Sequence, residues 1–234
     1  MITTLLIVGV ASGALILGAA WGVYGRLGPR TEGFLVAFAG GALVLSLVTE
    51  LIQPAAARSS TFLAIVGVAL GALVFTAIDW LVDERWGSGT GLGLLVAMTL
   101  DGVPENLALG VALIDTEPAA IAALAGSIFL SNLPEAAGGA RAMSKRQWRG
   151  RSILALWAGV AALLALAAGA GNRLLPDAEP EALALVQCFA AGAVVASLAT
   201  EVFPRAYREG HHLAGIATAF GLLFALALGE LGRP

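Results

Sequence analysis

Two short copies of one polar pattern lie in apolar stretches that are long enough to cross a membrane. The first copy is Asp101-Gly-Val-Pro-Glu105 and the second is Ser131-Asn-Leu-Pro-Glu135. In each copy a polar residue precedes a glutamate by four positions, a spacing that puts both side chains on one face of a helix. Each proline lacks an N–H, which frees the carbonyl oxygen of Leu100 or Leu130. Because ionisable groups are costly inside a membrane, this duplicated set of oxygen donors predicts a site for a divalent cation.

The composition of the chain is that of an integral membrane protein. Hydrophobic residues make up 59% of its 234 residues and charged residues only 12%, which is about half the charge of a soluble domain. The net charge of −3 gives no reason to expect nucleic acid as a partner. Windows of about twenty apolar residues predict one membrane domain over residues 1–234, with eight helical spans and short connectors. Spans 1 to 8 lie at residues 2–24, 33–54, 62–82, 91–114, 118–143, 151–172, 182–204 and 213–232.

Positive charge is concentrated on one side of these predicted spans. Ten of the 13 Lys and Arg residues lie in the connectors after spans 1, 3, 5 and 7. The positive-inside rule makes these connectors cytoplasmic, which puts both termini outside. The predicted location is therefore a cell membrane, plasma or inner, with the lipid bilayer as a partner.

A second internal similarity relates spans 2 and 7. Residues Ala39–Glu50 and Ala190–Glu201 align with a shared Ser and a shared Thr-Glu pair. Chance similarity between Ala-, Gly-, Leu- and Val-rich segments is the alternative explanation. Spans 2 and 7 run in opposite directions, as do spans 4 and 5, so one axis in the membrane plane would relate them. The expected fold class is thus all-α integral membrane, with eight transmembrane helices in a 3+2+3 inverted-repeat arrangement.

The two polar motifs resemble the signatures of helices 4 and 5 in the ZIP (Zrt/Irt-like protein) family, His-Asn-x-Pro-Glu-Gly and His-x-x-Pro-Glu. The resemblance covers essentially the whole chain, since that family has eight helices, extracytoplasmic termini and a 3+2+3 inverted repeat. It implies transport of Zn²⁺, Fe²⁺ or Mn²⁺ toward the cytoplasm, with the metal ion as substrate and no cofactor. The metal site that it implies, between spans 4 and 5, consists of Asp101, Glu105, Ser131, Asn132 and Glu135.

Several positions depart from the family pattern. Asp101 and Ser131 take the places of histidines, Gly102 that of an asparagine and Asn106 that of a glycine. Span 6 has no acidic residue, and no span contains a histidine. An oxygen-only site favours harder ions such as Mn²⁺, Fe²⁺ or Mg²⁺ over Zn²⁺, and one metal position is better supported than two.

Each candidate residue also has a structural alternative. The acids could be protonated packing residues, Ser131 could bond back to its own helix, and Asn132 could bridge two helices. Glu50 and Glu201 are predicted either to be way stations on the ion pathway or to reach water at helix ends.

The function expected from these features is divalent metal transport. The alternative is a ZIP-like protein that no longer transports zinc and has another substrate or a regulatory metal-binding role. An intramembrane enzyme is not expected, because the spans hold no His-Glu-x-x-His, no Gly-x-Gly-Asp and no Ser–His combination. A homodimer is compatible with the sequence.

Overall fold

The computed structural model describes residues 2–25, 28–86, 91–114 and 121–231. Helix accounts for nearly all of these residues and none of them is in a strand, which confirms the all-α prediction for this part of the chain. The side chains of some helical residues are not described, and Asp101 is one of them.

The predicted spans 2 and 7 extend further than the sequence indicated, to residues 58 and 210. A π-helical turn, Leu47–Ile52 or Leu198–Val202, joins two α-helices in each of them. Pro54 and Pro204, where these spans were predicted to end, lie in the first turn of the helix that follows, where a missing N–H is tolerated. In chain order the helices are α1 (Ile2–Tyr24), α2 (Pro29–Ser46), α3 (Gln53–Arg58), α4 (Thr61–Trp86), α5 (Gly91–Ala112), α6 (Ala122–Lys145), α7 (Gly150–Leu174), α8 (Pro180–Ser197), α9 (Phe203–Gly210) and α10 (Leu213–Leu231).

The outer surface of the protein is apolar. Phe62 and Leu73 on α4, and Phe220 and Leu223 on α10, are more than half exposed, and large apolar side chains in such numbers suit contact with lipid better than with water. The fold therefore fits a multi-pass membrane protein. Among the described residues, six segments are long and apolar enough to cross a membrane: Ile7–Tyr24, Pro29–Arg58, Thr61–Val82, Gly150–Leu174, Pro180–Gly210 and Leu213–Glu230.

Two glycines allow close packing between α2 and α10. A Cβ atom at Gly41 would overlap the carbonyl oxygen of Thr218, and one at Gly221 would overlap that of Phe38. Small residues at these crossing points allow the two backbones to approach closely, as is usual between membrane helices.

The contact between α4 and α8 is built in the same way. A Cβ at Gly192 would overlap the carbonyl oxygen of Val68, and one at Gly71 would overlap that of Phe189. Gly41 and Gly192 occupy matching positions in the aligned segments of α2 and α8. The two helix pairs therefore share their register as well as their residue types.

The helices that carry the polar motifs also pack against their neighbours through glycine residues. α6 packs against α1 and α5 packs against α7. A Cβ at Gly22 of α1 would overlap the carbonyl oxygen of Ala137, and one at Gly171 of α7 would lie equally close to that of Leu107. Each of these carbonyl groups lies two residues after the glutamate of its motif, so the motif segments are held against their partner helices at matching points.

Candidate metal centre

The two polar motifs meet at a small cavity between α5, α6 and α8. Four of the five predicted ligands line it, namely Glu105, Ser131, Asn132 and Glu135. The space open to the centre of a water-sized sphere is about 10 Å³, which is room for about one water molecule or one dehydrated ion. The fifth predicted ligand, Asp101, belongs to α5, but its side chain lies outside the described residues.

The cavity is deep in the protein and has an apolar wall. Glu105 is 5% exposed, Ser131 3% and Asn132 1%, whereas Glu135 is half-buried. A buried carboxylate is stable in its charged form only beside a counter-charge and hydrogen-bond donors. The rest of the wall is formed by Ser197 and by the apolar residues Leu43, Met98, Val194, Leu198 and Val202.

Asn132 has its two amide atoms in different roles. Its Nδ2 donates a hydrogen bond to the carbonyl oxygen of Ala11 in α1, at 3.3 Å. Within the described part of the chain, nothing donates a hydrogen bond to its buried Oδ1. A buried oxygen without a donor costs free energy, and an amide oxygen is a good ligand for a hard cation. The bridging role and the ligand role of Asn132 are thus compatible, because they use different atoms.

Ser131 makes the hydrogen bond to its own helix that was its structural alternative. Its Oγ donates to the carbonyl oxygen of Ile128 at 3.0 Å. A hydroxyl that donates in this way keeps two acceptor lone pairs. Since Ser131 also lines the cavity, it remains able to contribute a neutral oxygen ligand.

Sequence reasoning missed two residues of the cavity wall, Ser197 and Met98. Ser197 of α8 is the counterpart of Ser46 in the aligned segments, and Ser46 lies 2.9 Å from Ser127 of α6, oxygen to oxygen. The shared serine of the internal repeat was the signal for this position. Met98 precedes Glu105 by two helical turns and could have been found by its place on the same helix face.

Glu50 and Glu201 do not line the cavity. Each lies in a π-helical turn, is half-buried, and is followed by further helix, so neither marks the end of a helix. Thr49 Oγ1 lies 3.1 Å from Glu50 Oε1. Single π-helical turns within helices are frequent at functional sites, and the way-station role of the two acids stays a prediction.

Two departures from the ZIP pattern have a packing role here. A Cβ at Gly102 would lie 2.8 Å from Leu164 Cδ1 of α7, so a larger residue at this position would require the Leu164 side chain to move. Asn106 is fully buried, and its Nδ2 donates to the carbonyl oxygen of Gly102 at 2.9 Å. Neither residue lines the cavity.

The donor set of the described cavity consists of two carboxylates with serine and asparagine oxygens. In the described ranges, which exclude the Asp101 side chain, no three His, Cys, Asp or Glu side chains come together in a way that could hold a metal ion. The structure thus brings together one glutamate from each motif, while a third acidic ligand rests on the sequence prediction alone. Comparison with known proteins adds no assignment, because no protein-family model matches the chain and no curated protein matches it.

Proposed function

We propose that this protein carries a divalent metal ion of the Zn²⁺, Fe²⁺ and Mn²⁺ class across a cell membrane toward the cytoplasm. The observation that supports it best is the cavity in which Glu105 and Glu135, from two different helices, face the same small space. Two carboxylates beside the amide oxygen of Asn132 offer the oxygen donors that a divalent cation requires.

The architecture proposed for this carrier is a 3+2+3 inverted repeat of eight spans. Its spans are α1, α2 with α3, α4, α5, α6, α7, α8 with α9, and α10. The matching glycine contacts of the α2–α10 and α4–α8 pairs support it, as does the π-helical turn that α2 and α8 share. In transporters with such repeats, the substrate site lies between the repeats near the middle of the membrane.

The proposed mechanism uses the cavity acids to exchange protons for metal. Two carboxylates that face one small cavity repel each other when both are ionised, so in the proposed mechanism Glu105 and Glu135 hold a shared proton while no metal is bound. An entering M²⁺ displaces this proton and loses its water shell to the protein oxygens. Rocking of the repeats against each other then exposes the site to the other side.

The metal preference follows from the donors. Carboxylate, hydroxyl and amide oxygens favour Mn²⁺ and Fe²⁺, whereas imidazole would favour Zn²⁺. The thioether of Met98 is the single soft donor in the described wall of the cavity. Asp101, one helical turn before Glu105, enters the proposal as a sequence-predicted third carboxylate.

The absence of imidazole also favours a second function. This second function is that of a ZIP-like protein that no longer transports zinc and has another substrate or a regulatory metal-binding role. Such a protein would bind Mn²⁺ or Fe²⁺ without moving it across the membrane, which separates the two functions by experiment.

A multi-metal uptake assay in proteoliposomes tests the proposal. We expect Mn²⁺ or Fe²⁺ uptake that falls to the protein-free background in Glu105→Ala and in Glu135→Ala, because each removes a charged ligand. Glu181→Ala, an exposed acid in the first turn of α8, is the matched control. Binding without uptake would favour the regulatory function, and a protein that neither binds nor moves these ions would exclude both.

Labelling with a membrane-impermeant maleimide tests the proposed orientation. Cys188 is the single cysteine of the chain and is fully buried, so introduced cysteines can be followed in the natural background. We expect Ser60→Cys to react from outside intact cells, and Arg149→Cys to react only after permeabilisation. The opposite labelling pattern would contradict the proposed transport direction and would show that both termini are cytoplasmic.

A further inference from the structure

A second and larger cavity opens between the first turn of α2, the end of α6 and α9. Its volume is about 500 Å³, within the range of small-ligand sites. The cavity holds five basic side chains and two acidic ones, Glu32 and Glu209. The basic side chains are those of Arg141, Lys145, Arg146, Arg205 and Arg208.

The carboxylate of Glu32 neutralises part of the positive charge of these basic side chains. It is 2% exposed and forms ion pairs with Arg141, at 3.0 Å, and with Arg205. Gly33, the next residue, lets α9 approach closely, since a Cβ there would lie 2.9 Å from the carbonyl oxygen of Ala206. One carboxylate shared by two guanidinium groups leaves this buried part of the cavity with an excess of positive charge.

The outer part of the cavity has basic side chains without an acidic partner. Lys145, Arg146 and Arg208 are exposed, and within the described part of the chain they take part in no ion pair. A concave surface with this charge repels a metal cation and attracts an anion. Arginine binds phosphate oxygens through two parallel hydrogen bonds, which makes phosphate the best-fitting anionic group.

Two exposed aromatic side chains that lie close in sequence to lining residues indicate where this end of the protein lies. Trp148 and Tyr207 are 38% and 55% exposed, and Tyr207 directly precedes Arg208. Tryptophan and tyrosine concentrate at the level of the lipid headgroups. Basic pockets between membrane helices bind the headgroups of acidic lipids.

We propose that the cavity formed by α2, α6 and α9 binds a phosphate-bearing anion, with the headgroup of an acidic phospholipid favoured over a free phosphate. The bound phosphate lies against Arg146 and Arg208, and the Glu32 ion pairs form the inner wall of the site. This site is separate from the metal cavity, with which it shares no lining residue.

The test compares two double variants that remove the same charge from the same end of the protein. Arg146→Ala/Arg208→Ala removes two positively charged side chains from the outer part of the cavity. Arg149→Ala/Arg151→Ala removes two exposed arginines that do not line it. The first arm measures retention of phosphatidylglycerol against phosphatidylcholine by native mass spectrometry. The second arm measures binding of inorganic phosphate and glycerol 3-phosphate to delipidated protein by calorimetry.

We expect phosphatidylglycerol to be retained by the natural protein and by the Arg149/Arg151 variant, and to bind about thirtyfold more weakly to the Arg146/Arg208 variant, since two cationic contacts are lost. Binding of the soluble phosphates alone, lost in the same variant, would support the anion site and identify its occupant as soluble. Equal loss in both double variants would show general surface attraction and overturn the proposal. Binding of neither probe by the natural protein would overturn it as well.

Discussion

The two halves of the chain agree in how their helices pack and differ in the charges that they bury. The glycine contacts of α2 with α10 are repeated between α4 and α8 at matching positions. The ion pairs of Glu32 with Arg141 and Arg205 have no such counterpart. Alignment of α2 with α8 pairs Glu32 with Leu183, and alignment of the two motifs pairs Arg141 with Val111. Alignment of Pro54 with Pro204 pairs Arg205 with Ala55. Leu183, Val111 and Ala55 are all buried.

This difference shows that the two helix pairs share a close approach of their backbones, while the buried side chains near the Glu32 ion pairs and at the aligned positions differ in charge. Gly138 leaves room for the ion pairs, since a Cβ there would lie 2.5 Å from Glu32 Oε1. The equivalent Ala108 carries its Cβ and is fully buried. Ion pairs at a cavity can separate into water as an end opens, whereas an apolar contact loses its hydrophobic stabilisation. In the proposed carrier, the two ends would therefore open at different free-energy costs.

The largest effect is expected from a single substitution that removes the ion pairs of Glu32. Glu32→Leu leaves two guanidinium groups without their carboxylate, and we expect it to lower the free energy of unfolding by about 3 kcal/mol. Glu32→Leu/Arg141→Val/Arg205→Ala instead installs the residues of the other half, and we expect its stability to return to within about 1 kcal/mol of the natural protein. Denaturant titration in micelles measures both variants.

A triple variant as unstable as the single variant would contradict this reasoning. It would mean that the ion pairs contribute more than an apolar contact of similar volume. The two ends would then not be interchangeable, and the similarity of the halves would be limited to the backbone.

A smaller effect, equal in the two halves, is expected at the glycines. Gly41→Ala and Gly192→Ala each put a methyl group on a carbonyl oxygen of the neighbouring helix, and we expect each to lower the free energy of unfolding by about 2 kcal/mol. Gly159→Ala is the control, because a Cβ there meets no atom within 4 Å. Clearly unequal losses at Gly41 and Gly192 would show that the two helix contacts are not equivalent.

The sequence was informative where the physical constraint is local and repeated. The spacing of the two Pro-Glu motifs predicted that Glu105, Ser131 and Glu135 face a common point, and the resemblance to the ZIP family added Asn132; these four residues do line one cavity. Helix periodicity carries this information, because residues four apart lie on one face whatever the neighbouring helices do.

The rest depends on contacts between distant segments, which the chain does not state. Nothing near Glu32 in the sequence indicates Arg141 or Arg205, and its burial follows from the close approach of α9 at Gly33. Spans 2 and 7 continue as helix beyond the ends predicted from their apolar windows. In each of them a further helix follows a π-helical turn, and Pro54 or Pro204 lies in the first turn of that helix, where a missing N–H is tolerated.

The smallest effect is expected at the motif position where the halves differ in charge, Asp101 against Ser131. Asp101→His replaces a hard anionic oxygen by an imidazole, which favours Zn²⁺. We expect the preference for Zn²⁺ over Mn²⁺ to rise by roughly tenfold or about 1.4 kcal/mol, since one ligand of several is changed. Competitive uptake of the two ions at fixed pH measures it, because the new histidine titrates near neutrality. Ser131→His is the matched variant in the other half. If both variants transport with an unchanged ratio, neither position contacts the metal, and the site reduces to Glu105, Asn132 and Glu135.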